Sequence, residues 1–236
     1  MSPEHLSQIH ALFHSLKRGD RLTQTEADAL EIQWEPIVAP SQKDREERFA
    51  LCLPNGELTG TCAPRWLCHL LGLRHRAVEI AFLTESGLIA LQRRSITKSD
   101  GAGALDMAVA GHVVEQDTFL ASAWKEIEEE IGLEEARKSE WLIEKDLIPL
   151  GEPYLSLDAE PIRVPPRYNS EVRQIYVGTL TGAALSAMRF ADGEAEGMMF
   201  VTPEVAWRLL VEEQIASGMR YTLPRVLDWL ERTKTL

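Results

Sequence analysis

The sequence predicts an α/β fold: a mixed sheet packed by helices over residues 74–236, preceded by a small α+β extension over residues 1–73. Three observations lead there. Strand-like apolar runs are mixed with a few amphipathic helices and show no regular β–α alternation, which favours a mixed sheet. The texture changes at Arg74, from short helices and one hairpin to longer strands. The chain has 236 residues, 44% of them hydrophobic and 26% charged, which is ordinary for a folded domain able to bury a core.

The elements follow in chain order. HLSQIHALFHSL carries apolar residues at helical spacing. A second helix is expected after Thr23 or Thr25 through TEADALEIQW, broken by the stretch containing Pro36 and Pro40. FALCLP and ELTGTC flank Asn55-Gly56, a hairpin turn pair. PRWLCHLLGL reads as a short apolar helix ending at Gly72. From Arg74 onward, AVEIAFLT, the turn Glu85-Ser86-Gly87 and LIALQRRS read as strand, turn, strand. LDMAVAGHVV is another strand. DTFLASAWKEIEEEIG reads as a helix capped at Asp117 or Thr118 and stopped at Gly132. Strands are expected over IPLGEPYL, VRQIYVGTL and GMMFVT. Pro203 opens a helix through EVAWRLLVEEQ, and PRVLDWLERT closes the pattern. No repeat or low-complexity stretch interrupts it.

Charge and composition narrow the function classes. There are 25 basic and 37 acidic residues, a net charge of −12, which argues against a nucleic-acid polymer as partner. A small anionic ligand stays compatible, because a bound cation and a few local basic groups override net charge. No apolar run approaches the roughly 18 residues needed to span a bilayer. The first residues show no basic start followed by an apolar segment, and the three cysteines, Cys52, Cys62 and Cys68, read as reduced thiols. The expected compartment is therefore the cytoplasm. Cys62, Cys68 and His69 match no zinc spacing, and a fourth ligand is missing.

The chemistry concentrates in Gly111 to Leu133, GHVVEQDTFLASAWKEIEEEIGL. Glu126, Glu129 and Glu130 are spaced i, i+3, i+4 and share one helix face. Like charges there repel by roughly 0.2–0.5 kcal/mol per pair, unless a divalent cation sits among them. Oxygen-only ligands favour a hard ion, Mg²⁺ or Mn²⁺. Ile127 and Ile131 lie on another stripe and should face the core. Gly111 lets backbone approach a metal or phosphate closely. Just upstream, Arg93, Arg94 and Lys98 form a basic cluster suited to a diphosphate. Alternation puts Arg93 and Arg94 on opposite faces, so at most one contacts ligand.

This segment resembles the signature box of the Nudix hydrolase superfamily: Gly, five residues, Glu, seven residues, then Arg-Glu-apolar-any-Glu-Glu-any-Gly-apolar. Gly111, Glu126, Ile127, Glu129, Glu130, Gly132 and Leu133 match. Asp117 stands where the box has Glu, and Lys125 where it has Arg. The resemblance implies an α/β/α sandwich with a mixed sheet, and metal-dependent hydrolysis of a small-molecule diphosphate. Carried over by position, Glu129 and Glu130 are metal ligands, Glu126 a further ligand or the general base, and the Gly111 carbonyl a backbone ligand. Lys125 takes the place of the arginine that orients the catalytic glutamate, as a flexible point charge without a planar fork. A fourth carboxylate is expected from outside the box, first Glu171, with Glu194 or Glu196 as alternatives. His112 is expected to be structural, and Arg163, Arg167 and Arg173 are possible substrate contacts.

The flank LQRRSITKSDGAGALDMAVAGHV resembles Nudix proteins close to isopentenyl-diphosphate isomerase. His75-Arg76-Ala77 and the 73-residue extension are similar to thiamine-diphosphate-related Nudix hydrolases, although Ala102-Gly103 replaces their Pro-Gly. The expected activity is Mg²⁺-dependent hydrolysis of a nucleoside- or thiamine-diphosphate-like substrate. Isomerisation is the enzymatic alternative, but those isomerases use a cysteine before the box, where LDMAVAGH has none. A ligand-binding module with weakened turnover is the non-enzymatic alternative, allowed by Asp117 and Lys125. A homodimer is an expectation of the superfamily.

Overall fold

The computed structural model describes residues 1–97, 101–190, 193, 195–212 and 214–234. Helix α1 (Pro3–Ser15) starts where the Ser2 hydroxyl accepts the His5 amide, with Pro3 at its first turn. Helix α2 (Gln24–Val38) begins with a reciprocal cap between Thr23 and Glu26 and ends at left-handed Ala39. It runs through Pro36 rather than stopping before it. In the last turn the ring costs only one helical hydrogen bond, and Trp34 is already fully buried on the inner face. A short helix, α3 (Gln42–Glu46), precedes the hairpin of β1 (Arg48–Cys52) and β2 (Leu58–Pro64), whose register runs from Arg48 opposite Pro64 to Cys52 opposite Leu58. Helix α4 (Arg65–Leu71) ends at Gly72, which has φ +64°. A Cβ at Gly72 would sit 2.7 Å from the Phe13 ring, so glycine is required there twice over.

The remaining elements are β3 (His75–Thr84), β4 (Ile89–Arg94), β5 (Leu105–Met107), β6 (Val109–His112), α5 (Phe119–Ile131), α6 (Lys138–Trp141), β7 (Ile148–Pro149), β8 (Tyr154–Glu160), β9 (Arg167–Leu180), α7 (Gly182–Ala187), β10 (Ala195–Val201), α8 (Pro203–Glu212) and α9 (Ser217–Lys234). The architecture is α/β with a mixed sheet. Three expectations shift. LDMAVAGHVV divides at Ala108, because the chain changes partner there: β5 pairs with β4 and β6 with β3. IPLGEPYL divides around Gly151, whose φ is +65°. Helix α9 starts seven residues before Pro224 and continues through it. Met219, Leu223, Val226 and Leu230 form a buried stripe across the proline, and that burial outweighs one missing hydrogen bond.

The chain divides into two compact units. The first comprises residues 1–77, 112–118 and 153–173; the second comprises 78–111, 119–152 and 174–236. The first has a core of Ile9, Phe13, Trp34, Phe49, Leu51, Leu67, Leu71 and Tyr168, with Phe13 and Tyr168 stacked at 3.8 Å. The second buries Ile80, Phe82, Leu91, Trp124, Ile127 and Ile131. In it β10 pairs antiparallel with β4 from Ala195–Arg94 to Val201–Ile89.

Candidate active site

Helix α5 lies in the second unit and explains its own orientation. Ala123, Trp124, Ile127 and Ile131 are buried, and this stripe fixes the helix by its apolar face. The Trp124 indole N–H donates to Asp146 at 3.2 Å. Gly132, with φ +72°, ends the helix and donates its N–H to the Glu128 carbonyl. The carboxylate face then grades from inside to outside. Glu130 is 3% exposed, Glu126 is half-buried and Glu129 is exposed.

A buried carboxylate is costly unless it is hydrogen-bonded or meets a cation. Glu130 receives a hydrogen bond from the Gln92 amide on β4 at 3.1 Å, and Gln92 is itself buried. Glu126 lies directly over Gly111. A Cβ at Gly111 would overlap the Glu126 carboxyl carbon, Oε1 and Cγ. Only glycine therefore admits that carboxyl at this point, and its φ needs no left-handed freedom. The close approach of the Gly111 backbone to an all-oxygen set fits a hard divalent cation such as Mg²⁺. Lys125 is exposed, and one turn on, Glu129 lines the same open depression of about 350 Å³ with Ala121, Trp124, Glu128 and Glu135.

The upstream basic residues are held by their own neighbourhood. Arg93 donates to the Gly103 carbonyl at 2.9 Å, and Arg94 pairs with Asp106 at 2.9 Å. Lys98 and Glu194 lie outside the described residues. Glu196 accepts the Ile96 amide at 3.2 Å. Arg163, in the turn that follows β8, pairs with Glu160 three residues before it. Cys52, Cys62 and Cys68 are free thiols. Burial pushes Cys52 and Cys62 up to about 12, which leaves them unreactive near neutrality.

The first unit holds a second constellation. His69 on α4, His75 at the start of β3 and His112 at the end of β6 place their ligand nitrogens within 4.8 Å of one another. Glu171 on β9 belongs with them: its Oε1 lies 3.2 Å from His112 Nε2 and 3.7 Å from His75 Nε2. Its other oxygen pairs with Arg173, whose Nε donates to the Ser156 hydroxyl at 2.8 Å. Phe49 on β1 stacks on both His75 and His112 at 4.7 Å. Burial pushes the Glu171 carboxyl up, but hydrogen bonds and charge from His112 and His75 outweigh it and hold the group well below the usual range. Burial lowers His112 to about 4 and His69 well below its ordinary value. Both rings are neutral near pH 7.

Sequence reasoning singled out Glu171 and His112 separately and did not join them to His69 and His75. Their spacings, 6 and 37 residues along the chain and then 59 to Glu171, carry no short-range signal. Strand pairing and the packing of α4 bring them together.

A profile of the NUDIX domain matches residues 73–226, more than half of the chain. A stretch of 89 residues is 40% identical to Nudix hydrolase 3 of Arabidopsis thaliana. That stretch is 37% of this chain and only 12% of the plant protein. The crystal structure of DR0079 from Deinococcus radiodurans superposes with a TM-score of 0.58 at 22% identity, covering 76% of this chain and 98% of DR0079. That likeness is one of fold. Among the described residues no helix is long and apolar enough to cross a membrane.

Proposed function

The chain belongs to the Nudix family of hydrolases, which act on small-molecule diphosphates, and from that premise we propose that it is a Mg²⁺-dependent pyrophosphohydrolase of an organic diphosphate. The observation that carries this reading is the Gly111–Glu126 packing beside Glu129 and Glu130 on one helix face. Glu126, Glu129, Glu130 and the Gly111 carbonyl would hold the ion. When bound, Mg²⁺ lowers the pKa of a water and neutralises charge on phosphate oxygens, and Mn²⁺ can substitute for it. Glu126 accepts the proton from the attacking water as general base. Gln92 fixes the Glu130 carboxylate by its hydrogen bond. Lys125 supplies positive charge on the exposed side of the helix, next to Glu129. Arg93, Arg94 and Lys98 are the proposed phosphate-side contacts. Arg93 and Arg94 would have to exchange a protein partner for the ligand.

The proposed substrate is a nucleoside- or thiamine-like diphosphate, with residues 1–73 forming an extension that shapes selectivity, since fold alone does not set it. A homodimer working in the cytoplasm completes the reading. The test is a product-release screen over nucleoside, thiamine and other organic diphosphates, with Mg²⁺, Mn²⁺ or EDTA. A metal-dependent hit that disappears in Glu129→Gln supports hydrolysis and names the substrate class. Double-bond migration in isopentenyl diphosphate, seen by NMR without phosphate release, would replace it with isomerase chemistry.

A further inference from the structure

We propose that Arg76, which lies outside the signature box, is a positioning residue for it: Arg76 clamps the segment between Gly111 and α5 and so keeps Glu126 over Gly111. This role rests on the hydrolase reading and adds to it a residue of β3.

The clamp has two arms. Arg76 is the second residue of β3 and is 9% exposed. Its carbonyl accepts the Val113 amide at 2.9 Å. Its Nη2 donates to the Asp117 carbonyl at 2.6 Å. One residue therefore holds the segment His112–Thr118 near both of its ends. Between the arms the segment turns on itself, with the Asp117 amide donating to the Val114 carbonyl at 3.1 Å. The Glu115 amide adds a third hold, donating to the Arg48 carbonyl of β1 at 3.2 Å.

The acceptor explains why a side-chain donor is needed. Helix α5 begins at Phe119. Its first ladder bond therefore uses the Thr118 carbonyl, and the Asp117 carbonyl falls one position outside the ladder. That oxygen needs a donor from elsewhere. A charged donor makes the shorter and stronger bond. Asp117 is one methylene shorter than the glutamate of the box, and it is the main chain of this residue that Arg76 holds. Burial draws the Arg76 guanidinium below its ordinary value, and the Asp117 side chain is among the charges that oppose this. A buried cation is a costly way to gain stability alone. Here it fixes one point of the chain just before α5.

The box in this chain has use for such a hold. Its own basic residue, Lys125, is exposed and makes no ion pair among the described residues. As a flexible point charge it does not replace a planar fork. The Gly111–Glu126 approach is also unforgiving, since a Cβ at Gly111 would stand 2.0 Å from the Glu126 carboxyl carbon. Slack in the segment that joins Gly111 to α5 lets the helix slide past the glycine. A misplacement of about 1 Å costs roughly 100-fold in rate.

The test compares Arg76→Met, which keeps the length and removes every side-chain donor, with Arg76→Lys, which restores an N–H for the carbonyl. Steady-state hydrolysis of the diphosphate that the panel identifies gives kcat and KM. Amide hydrogen exchange reads residues 112–118 without reference to activity. In Arg76→Met, kcat should fall about 10–100-fold while KM stays within about threefold. Exchange over residues 112–118 should quicken at least about tenfold, with β1, β2 and α4 unchanged. Arg76→Lys should recover most of both losses. A kcat within about twofold of the parent in Arg76→Met overturns the proposal. So does exchange that rises equally over β1, β2 and α4, because Arg76 would then only stabilise its own unit. An Arg76→Lys protein as slow as Arg76→Met overturns it too. If the parent turns over no diphosphate, the hydrolase reading fails separately. Quickened exchange confined to residues 112–118 in Arg76→Met then still supports the clamp, and unchanged exchange overturns it. Should Arg76→Met not fold, Arg76→Gln takes its place in both readouts.

Discussion

The two carboxylate-bearing constellations were built by opposite routes. The Glu126–Glu129–Glu130 set comes from one helix and a glycine eight residues before its start. Its donors are all oxygen, and it grades from buried to exposed. The His69–His75–His112–Glu171 set comes from one helix and three strands, is nitrogen-rich, and is buried except at His112, which is half-buried. Local spacing produces the first, and strand pairing produces the second. That difference decides which chemistry a reader can find before folding the chain.

The sharpest way to break the comparison is to remove the base from the first set. Glu126→Gln keeps the volume and the helix but cannot accept a proton. The expected loss in kcat is about 10²–10⁴-fold at saturating Mg²⁺, read by steady-state product release. A smaller loss would move the base elsewhere.

Gly111→Ala tests the packing that distinguishes this set. The added Cβ must displace the Glu126 carboxyl, and a shift of about 1 Å costs roughly 100-fold in rate. Circular dichroism should show the fold retained, while activity and Mg²⁺ dependence both suffer.

The second set should dominate the acid behaviour of the chain. His112 faces Glu171, His75 and Arg65, and His69 faces His75, His112, Arg65 and Arg167. The unfolded rings take up protons as pH falls through about 6.5, whereas folded His112 resists until about 4. The unfolded state therefore binds more protons in that window. Stability should fall on acidification by up to about 1.4 kcal/mol per pH unit for each ring. Glu171 has a depressed folded value, so its contribution is present above the ordinary carboxylate range and lost below it. Urea unfolding between pH 7 and 4 checks the slope. A stability independent of pH in this window would contradict the burial of neutral rings.

The smallest expected effect is on Gln92. Gln92→Leu removes the amide that donates to buried Glu130 and should cost about 1–3 kcal/mol, measured by the shift in denaturation midpoint. Turnover should fall less than in Glu126→Gln.

The helix periodicities, the Asn55-Gly56 turn and the stop at Gly132 were legible because each is a local rule. So was the Glu126, Glu129, Glu130 face, with Ile127 and Ile131 turned inward as expected. The continuation of α2 through Pro36 and of α9 through Pro224 was not, because burial of Trp34 and of the Met219–Leu230 stripe overrode a local breaker. The division of LDMAVAGHVV at Ala108 depends on a change of strand partner, which no propensity encodes. For the same reason His75 and His112 read as isolated residues, and Glu171 as a carboxylate awaiting the helix set rather than a partner of histidines.

The most direct measurement of the central claim is hydrolysis across the diphosphate panel by the parent chain and Glu129→Gln, in Mg²⁺ and in EDTA. The account predicts turnover of at least one organic diphosphate that needs Mg²⁺ and is lost in the variant. Undiminished Mg²⁺-dependent turnover by Glu129→Gln would contradict it.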